Sequence, residues 1–276
     1  MNWPTFFKRA GSAVVFSLVM LTGLLWNDHA FLVLILLIQF LCLREYFGLV
    51  TKIYPEQQTA GALQAMIQLS GIGFVLFSSV VFSGDRTLWP ALLFFPVLIL
   101  LTESLSAKGS PGNAFRAFGA LLYISLPMVL LLQLHQKSLI LPLALILLIW
   151  INDTMAYIVG SFIGRTPFSA ISPKKTWEGT IGGAVLTAAA AALWGINTTY
   201  YHMTDWIALA LCAAVAGTMG DLLESKLKRL AQVKDSGNIM PGHGGALDRF
   251  DSLLVATPFA FCYAWLFMGN MPVRIF

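Results

Sequence analysis

Hydrophobic residues in this chain come in blocks rather than in stripes. Runs such as Ala30–Leu43, Ala91–Leu101 and Ser138–Ile151 keep no polar face, whereas a helix resting on a soluble core alternates its two faces every turn. The blocks predict apolar helices at roughly 10–26, 30–50, 61–82, 87–105, 115–134, 138–160, 179–199, 205–223 and 253–270, most near the ~20 residues that cross a bilayer. Pro90, Pro96 and Pro127 interrupt the fourth and fifth. The expected fold class is an all-α polytopic membrane protein with about nine transmembrane helices.

The polar residues between the blocks give an orientation. With nine crossings, the N-terminus and the segments after helices two, four, six and eight share one side. Of the 17 Lys and Arg residues, all but Arg86, Lys137 and Arg274 fall there. The positive-inside rule makes that side, and so the N-terminus, cytoplasmic. The two longest polar segments, 161–178 and 224–252, lie on it too.

Composition excludes a soluble domain. Of the 276 residues 58% are hydrophobic and 11% charged, with a mean hydropathy of +0.77, against about 25% charged in soluble domains. Cys42, Cys212 and Cys262 are far apart in apolar runs, so neither a disulfide framework nor a metal spacing can be read from them. The opening "FFKRAGSAVVFSLVMLTGLLW" has the basic flank of a signal peptide. Its apolar run is long for one and no small-x-small cleavage site follows, so it reads as a retained first helix. No repeat or linker divides the chain. The organisation expected is an N-terminal set of membrane helices over 1–137 and a C-terminal catalytic region over 138–276. Glu45 and Glu103 stand near segment ends, where an acid costs little, so the chemistry is expected in the C-terminal half.

There the polar residues form three groups. In "GTMGDLLESKLKRL", Asp221, Glu224, Ser225 and Lys228 share one helical face. An acid at the edge of hydrocarbon is either paired locally, here with Lys228, or functional. In "PGHGGALDRFDS", Gly242, Gly244 and Gly245 precede the last helix and let backbone amides approach a ligand. Asp248 and Asp251 follow in its first turn, as capping charges or as Mg²⁺ ligands that Asp221 could join. His243 is either a turn residue or a phosphate contact. Lys226, Lys228, Arg229 and Lys234 could meet lipid headgroups, although such a patch would avoid the neighbouring aspartates. The third group is "SPKKTWEG", where Ser172, Lys174, Lys175 and Thr176 offer hydroxyls and cations beside a helix start. Trp177 suits an interfacial anchor. Asp153, late in the sixth apolar run, wants a partner as well. Together these groups suggest a Mg²⁺–polyphosphate site at the cytoplasmic membrane surface, for a nucleotide or pyrophosphate species and an anionic lipid.

The stretch "SKLKRLAQVKDSGNIMPGHGGALDRFDS" resembles the signature of the phosphatidate cytidylyltransferase family. Ser225, Lys228, Arg229, Lys234, Asp235, Gly237, Pro241, His243, Gly244, Gly245, Asp248, Arg249 and Asp251 all fall in place. "SPKKTWEG" and "GDLLES" resemble the accompanying motifs. Met240 and Ala246 depart mildly at positions without chemistry. The specific likeness covers about residues 150–255.

The resemblance implies transfer of CMP from CTP to phosphatidic acid, giving CDP-diacylglycerol and pyrophosphate, with Mg²⁺ and the number of ions left open. It implies Asp221, Asp248 and Asp251 as metal ligands, and Asp221, Lys228, Asp248 and His243 as the catalytic set. Phosphate contacts are expected from Ser172, Lys175, Thr176, Ser225, Arg229, Lys234, Gly244, Gly245 and Arg249, with Asp153, Glu178 and Glu224 as further candidates. The partners implied are CTP, phosphatidic acid and membrane lipid, with no nucleic acid; a homodimer through the N-terminal helices would suit the symmetry rules. The place implied is the cell membrane, the bacterial inner membrane on this reading, with the site at its cytoplasmic face. The rivals are a CTP-dependent lipid-alcohol kinase, which the signature disfavours, and a transporter or scaffold. A transporter would carry its polar groups near mid-membrane.

Overall fold

The computed structural model describes residues 3–56, 61–79, 94–105, 109–239 and 244–269. Among these the chain is helical, with nine helices where the nine apolar blocks were expected. They are α1 (Trp3–Leu25), α2 (Asp28–Ile53), α3 (Gly61–Ser78), α4 (Phe94–Leu105), α5 (Pro111–Lys137), α6 (Ile140–Ile163), α7 (Trp177–Asn197), α8 (Met203–Leu230) and α9 (Leu247–Leu266). Helices α2, α3, α5, α6, α7 and α8 are each long and apolar enough to cross a membrane. With the apolar α1 and α4, they make this a multi-pass, all-helical membrane protein.

Local chemistry sets several helix ends. The Asn27 side chain accepts the Ala30 amide at 2.8 Å and caps α2. Ser110 caps α5, with Pro111 in the first turn, where its missing N–H costs nothing. Helices α5 and α8 each contain one π turn, at Leu121–Ser125 and Cys212–Ala216. Such a turn adds one residue to the register, so it resets the face that the following residues present.

The chain divides into two compact units, Met1–Gln133 with Leu227–Phe250, and Leu134–Lys226 with Asp251–Phe276. In the first, α2 packs on α1, α3 and α5. Its buried residues Phe31, Ile35, Ile38, Cys42, Glu45 and Leu49 recur every three or four positions, which gives the inward stripe of a helix. In the second unit α6 packs on α7, and α7 on α8. Gly179 and Gly183 stand four apart on α7, against Ala156 and Gly160 of α6. A Cβ on Gly183 would lie 2.9 Å from the Ala156 amide nitrogen. The missing side chains let the two backbones touch, which is how helices associate where no hydrophobic driving force exists.

Candidate active site

In the second unit, the part of α8 after its π turn brings Gly217 and Gly220 against Asp251 and Ser252 of α9. A Cβ on Gly217 would sit 3.5 Å from the Ser252 side chain, an ordinary contact. A Cβ on Gly220 would collide with the Asp251 carbonyl and lie 3.1 Å from the Ser252 Cα. That close approach sets Asp221, the next residue, beside Asp251. Asp221, Glu224 and Asp251 each offer a carboxylate oxygen within 4.8 Å of the others. Glu224 is wholly buried, Asp251 buried and Asp221 partly exposed.

Three ionised carboxylates this close repel by about 3–4 kcal/mol per pair at an effective dielectric near 20. Cationic charge must therefore enter the cluster or protons must. The Lys175 ammonium already forms an ion pair with Asp221. An all-oxygen set of this kind suits a hard divalent cation such as Mg²⁺. The expected outcome of Gly220→Ala is a loss of about 1–3 kcal/mol of stability from overpacking together with weaker Mg²⁺ dependence. Gly217→Ala should be tolerated. Thermal unfolding and Mg²⁺ titration of both variants check this, and equal behaviour of the two would refute it.

Lys175 reaches the cluster from a folded loop. Phe168 N–H donates to the Lys175 carbonyl at 2.8 Å and Trp177 N–H to the Thr166 carbonyl at 2.9 Å, so 166–168 pair with 175–177. The Lys175 amide closes a turn onto the Ser172 carbonyl at 3.1 Å. The Thr176 hydroxyl caps α7 by accepting the Gly179 amide at 3.2 Å. The Glu178 carboxylate accepts N–H from Arg165 (3.1 Å) and both the amide (3.1 Å) and hydroxyl (2.8 Å) of Thr166. In this structure Thr176 and Glu178 hold the loop that presents Lys175.

The first unit contains the rest of the signature. Helix α8 ends with Gln232 in the left-handed region (φ 55°). Val233 N–H donates to the Lys228 carbonyl (2.9 Å) and Gln232 N–H to that of Arg229 (3.1 Å), a Schellman closure with glutamine where glycine is usual. The Lys228 ammonium donates to Asp248 Oδ1 at 2.6 Å, both side chains being largely buried. Asp248 Oδ2 accepts the Ser236 amide (2.8 Å), the Ser236 hydroxyl (2.9 Å) and the Gly245 amide (2.8 Å). Gly244 has φ +81°, a conformation that favours glycine, and a Cβ there would press on the Asp248 carboxylate.

Glu45 of α2, expected at an easy interfacial position, is buried. It accepts the amides of Ala246 (2.9 Å) and Leu247 (2.8 Å) and the hydroxyl of Ser236 (2.7 Å). The free amides expected to cradle a phosphate at the start of α9 thus meet protein carboxylates here. Gly245 gives its N–H to Asp248, and the next two go to Glu45. Chemistry confined to the C-terminal half is corrected to that extent: a residue of α2 holds the signature stretch.

The structure therefore distributes the expected residues. Asp221 and Asp251 come together, joined by Glu224, while Asp248 sits with Lys228, Ser236 and Gly245. Ser225 is partly exposed, and Arg229, Lys234 and Arg249 are exposed. Asp153 is exposed on α6 and is not one of the clustered carboxylates. His243 lies outside the described residues.

A family model, that of the cytidylyltransferase family, matches residues 7–267. The chain belongs to this family. A phosphatidate cytidylyltransferase of Synechocystis sp. is 33% identical over 94% of both chains. That of Bacillus subtilis is 36% identical over 67% of this chain and 72% of its own, and that of Aquifex aeolicus 36% over 60% and 63%. As a cytidylyltransferase-family member the chain is a nucleotidyltransferase.

Proposed function

We propose that the chain transfers CMP from CTP to phosphatidate, giving CDP-diacylglycerol and pyrophosphate. The likeness to the Synechocystis relative over nearly the whole of both chains supports the substrates. The carboxylate cluster of Asp221, Glu224 and Asp251, with Lys175 on it, is the observation that carries the chemistry.

A phosphate oxygen of the lipid attacks the α-phosphorus of CTP. The new P–O bond forms as the bond to the bridging α–β oxygen breaks, and pyrophosphate leaves with that electron pair. Phosphatidate is already anionic near neutral pH, so no protein nucleophile is needed. The obstacle is repulsion between two polyanions, and the protein's task is to neutralise and align them. Asp221, Glu224 and Asp251 would hold Mg²⁺, which when bound supplies positive charge to phosphoryl oxygens. Lys175, which stands on Asp221 in the structure, would meet a phosphate. Lys228 is partly neutralised by Asp248, which fixes its ammonium in one place. Arg229 and Lys234, exposed beyond it, suit the looser contacts of a headgroup or a leaving group.

The chain crosses the membrane nine times, with its N-terminus and the polar segments cytoplasmic. Among the described residues nine helices fall on the nine apolar blocks, and the strong Lys and Arg asymmetry favours that side. The site then faces the compartment where CTP is made.

The test uses purified protein in mixed micelles with phosphatidate and CTP labelled at the α-phosphate. Metal-dependent label in the lipid, with an equal amount of pyrophosphate, is the expected result. CDP in the aqueous phase without lipid label would show γ-phosphoryl transfer instead and sink the proposal.

A further inference from the structure

We infer that Glu45 is a positioning residue for the proposed transfer, acting from α2 on the backbone of the signature stretch rather than on substrate. The inference rests on the function proposed above. A carboxylate buried in a membrane-spanning helix is costly unless its lone pairs are used. Glu45 uses them on groups 191 to 202 residues away in sequence, namely the Ser236 hydroxyl and the Ala246 and Leu247 amides. It therefore pins the stretch at two points, Ser236 and the Ala246–Leu247 pair.

The glycines support the same reading. A Cβ on Gly237 or on Gly245 would collide with the Glu45 carboxylate. Both positions look like turn glycines in the sequence, yet neither needs a positive φ. What they supply is room for Glu45.

The latch continues to a cation. The Ser236 hydroxyl lies 2.7 Å from Glu45 Oε2 and 2.9 Å from Asp248 Oδ2. A hydroxyl has one proton to give, so the two carboxylates share it and the position of Ser236 depends on both; Asp248 in turn holds the Lys228 ammonium. Moving Glu45 therefore moves Ser236, Asp248 and Lys228 in sequence. In Glu45→Gln an N–H₂ group would face one of the two backbone N–H donors, which breaks one arm of the latch with almost no change of volume.

The assay above measures kcat and KM for wild type, Glu45→Gln, Glu45→Asp and Ser236→Ala in folded, monodisperse protein. A misplacement of this kind is expected to lower kcat of Glu45→Gln about 100-fold with both KM values within about threefold. Glu45→Asp should recover part of the loss, and Ser236→Ala should lie about tenfold below wild type. Hydrogen exchange at 246 or 247 should be faster in Glu45→Gln, because Ala246 and Leu247 bond different carboxylate oxygens and the amide keeps only one of them. Wild-type kcat in folded Glu45→Gln, or a loss that appears only as less folded protein, would overturn the inference. Should Glu45→Gln not fold, Ser236→Ala decides, since it removes one hydroxyl, and wild-type kcat there overturns it equally. A wild-type protein that transfers no CMP removes the proposed function and this inference with it. Active wild type with unaffected variants removes the inference alone.

Discussion

Asp221→Asn should lower CMP transfer about 1,000-fold, the equivalent of ~4 kcal/mol of lost transition-state stabilisation. The amide keeps the shape of the side chain but contributes no charge to the cation that Asp221, Glu224 and Asp251 would hold. Glu224→Gln and Asp251→Asn should behave alike. All three should weaken the binding of Mn²⁺, a paramagnetic stand-in for Mg²⁺, followed by electron paramagnetic resonance. Asp248→Asn separates this reading from the one the sequence suggested. Asp248 is engaged by Lys228, Ser236 and Gly245, so its variant should lose turnover while binding Mn²⁺ nearly as wild type does. If Asp248→Asn abolished Mn²⁺ binding and Glu224→Gln left it intact, the ligand set would have to revert to Asp221 with Asp248. Lys175→Gln adds a check with the opposite sign. Removing the ammonium that competes for Asp221 should tighten Mn²⁺ binding while slowing transfer.

The helical membrane class was legible because a block of apolar residues near bilayer length has few other uses. The faces were not. In lipid, both the buried and the exposed sides of a helix are apolar, so the stripe of α2 that includes Ile38, Cys42, Glu45 and Leu49 leaves no periodic trace. Val33, Leu37 and Phe40 on the same helix are exposed and just as hydrophobic. The two π turns were invisible for a related reason: a run such as "CAAVA" is equally content in either register. Of the site, the residue types and their spacing in the polar stretches could be read, since charge is scarce in this chain. Which acids meet could not. Asp248 and Asp251 are one turn apart, and only the approach of Gly220 to the Asp251 backbone brings the second to Asp221. The signal for Glu45 was present but discounted. It is an acid whose neighbours at i±3 and i±4 (Leu41, Cys42, Gly48 and Leu49) offer no partner, so its hydrogen bonds had to come from elsewhere in the chain.

Lys228→Met should destabilise the protein by about 3 kcal/mol, because removing one partner of a buried ion pair leaves the other charge uncompensated. The side chains of Lys228 and Asp248 are 13% and 6% exposed, so solvent replaces little of what is lost. Asp248→Asn should destabilise by a similar amount, and it also weakens the hold on Ser236 and Gly245. The double variant is the informative one. With both charges gone, the burial penalty disappears, and the double variant should be more stable than the sum of the single changes predicts, by about 1–3 kcal/mol. Turnover should not follow stability back. If Lys228 holds a phosphate, its absence costs the reaction whether or not Asp248 is charged, so the double variant should be nearly as inactive as Lys228→Met. Denaturant unfolding in detergent gives the coupling, and labelled CTP gives the rate. A double variant that regained both would make the pair a purely structural bridge and leave phosphate binding to Lys175, Arg229 and Lys234. Strict additivity of the single changes would mean that the two side chains do not depend on each other at all. The ion pair would then be too weak to relay the position of Glu45 to the Lys228 ammonium.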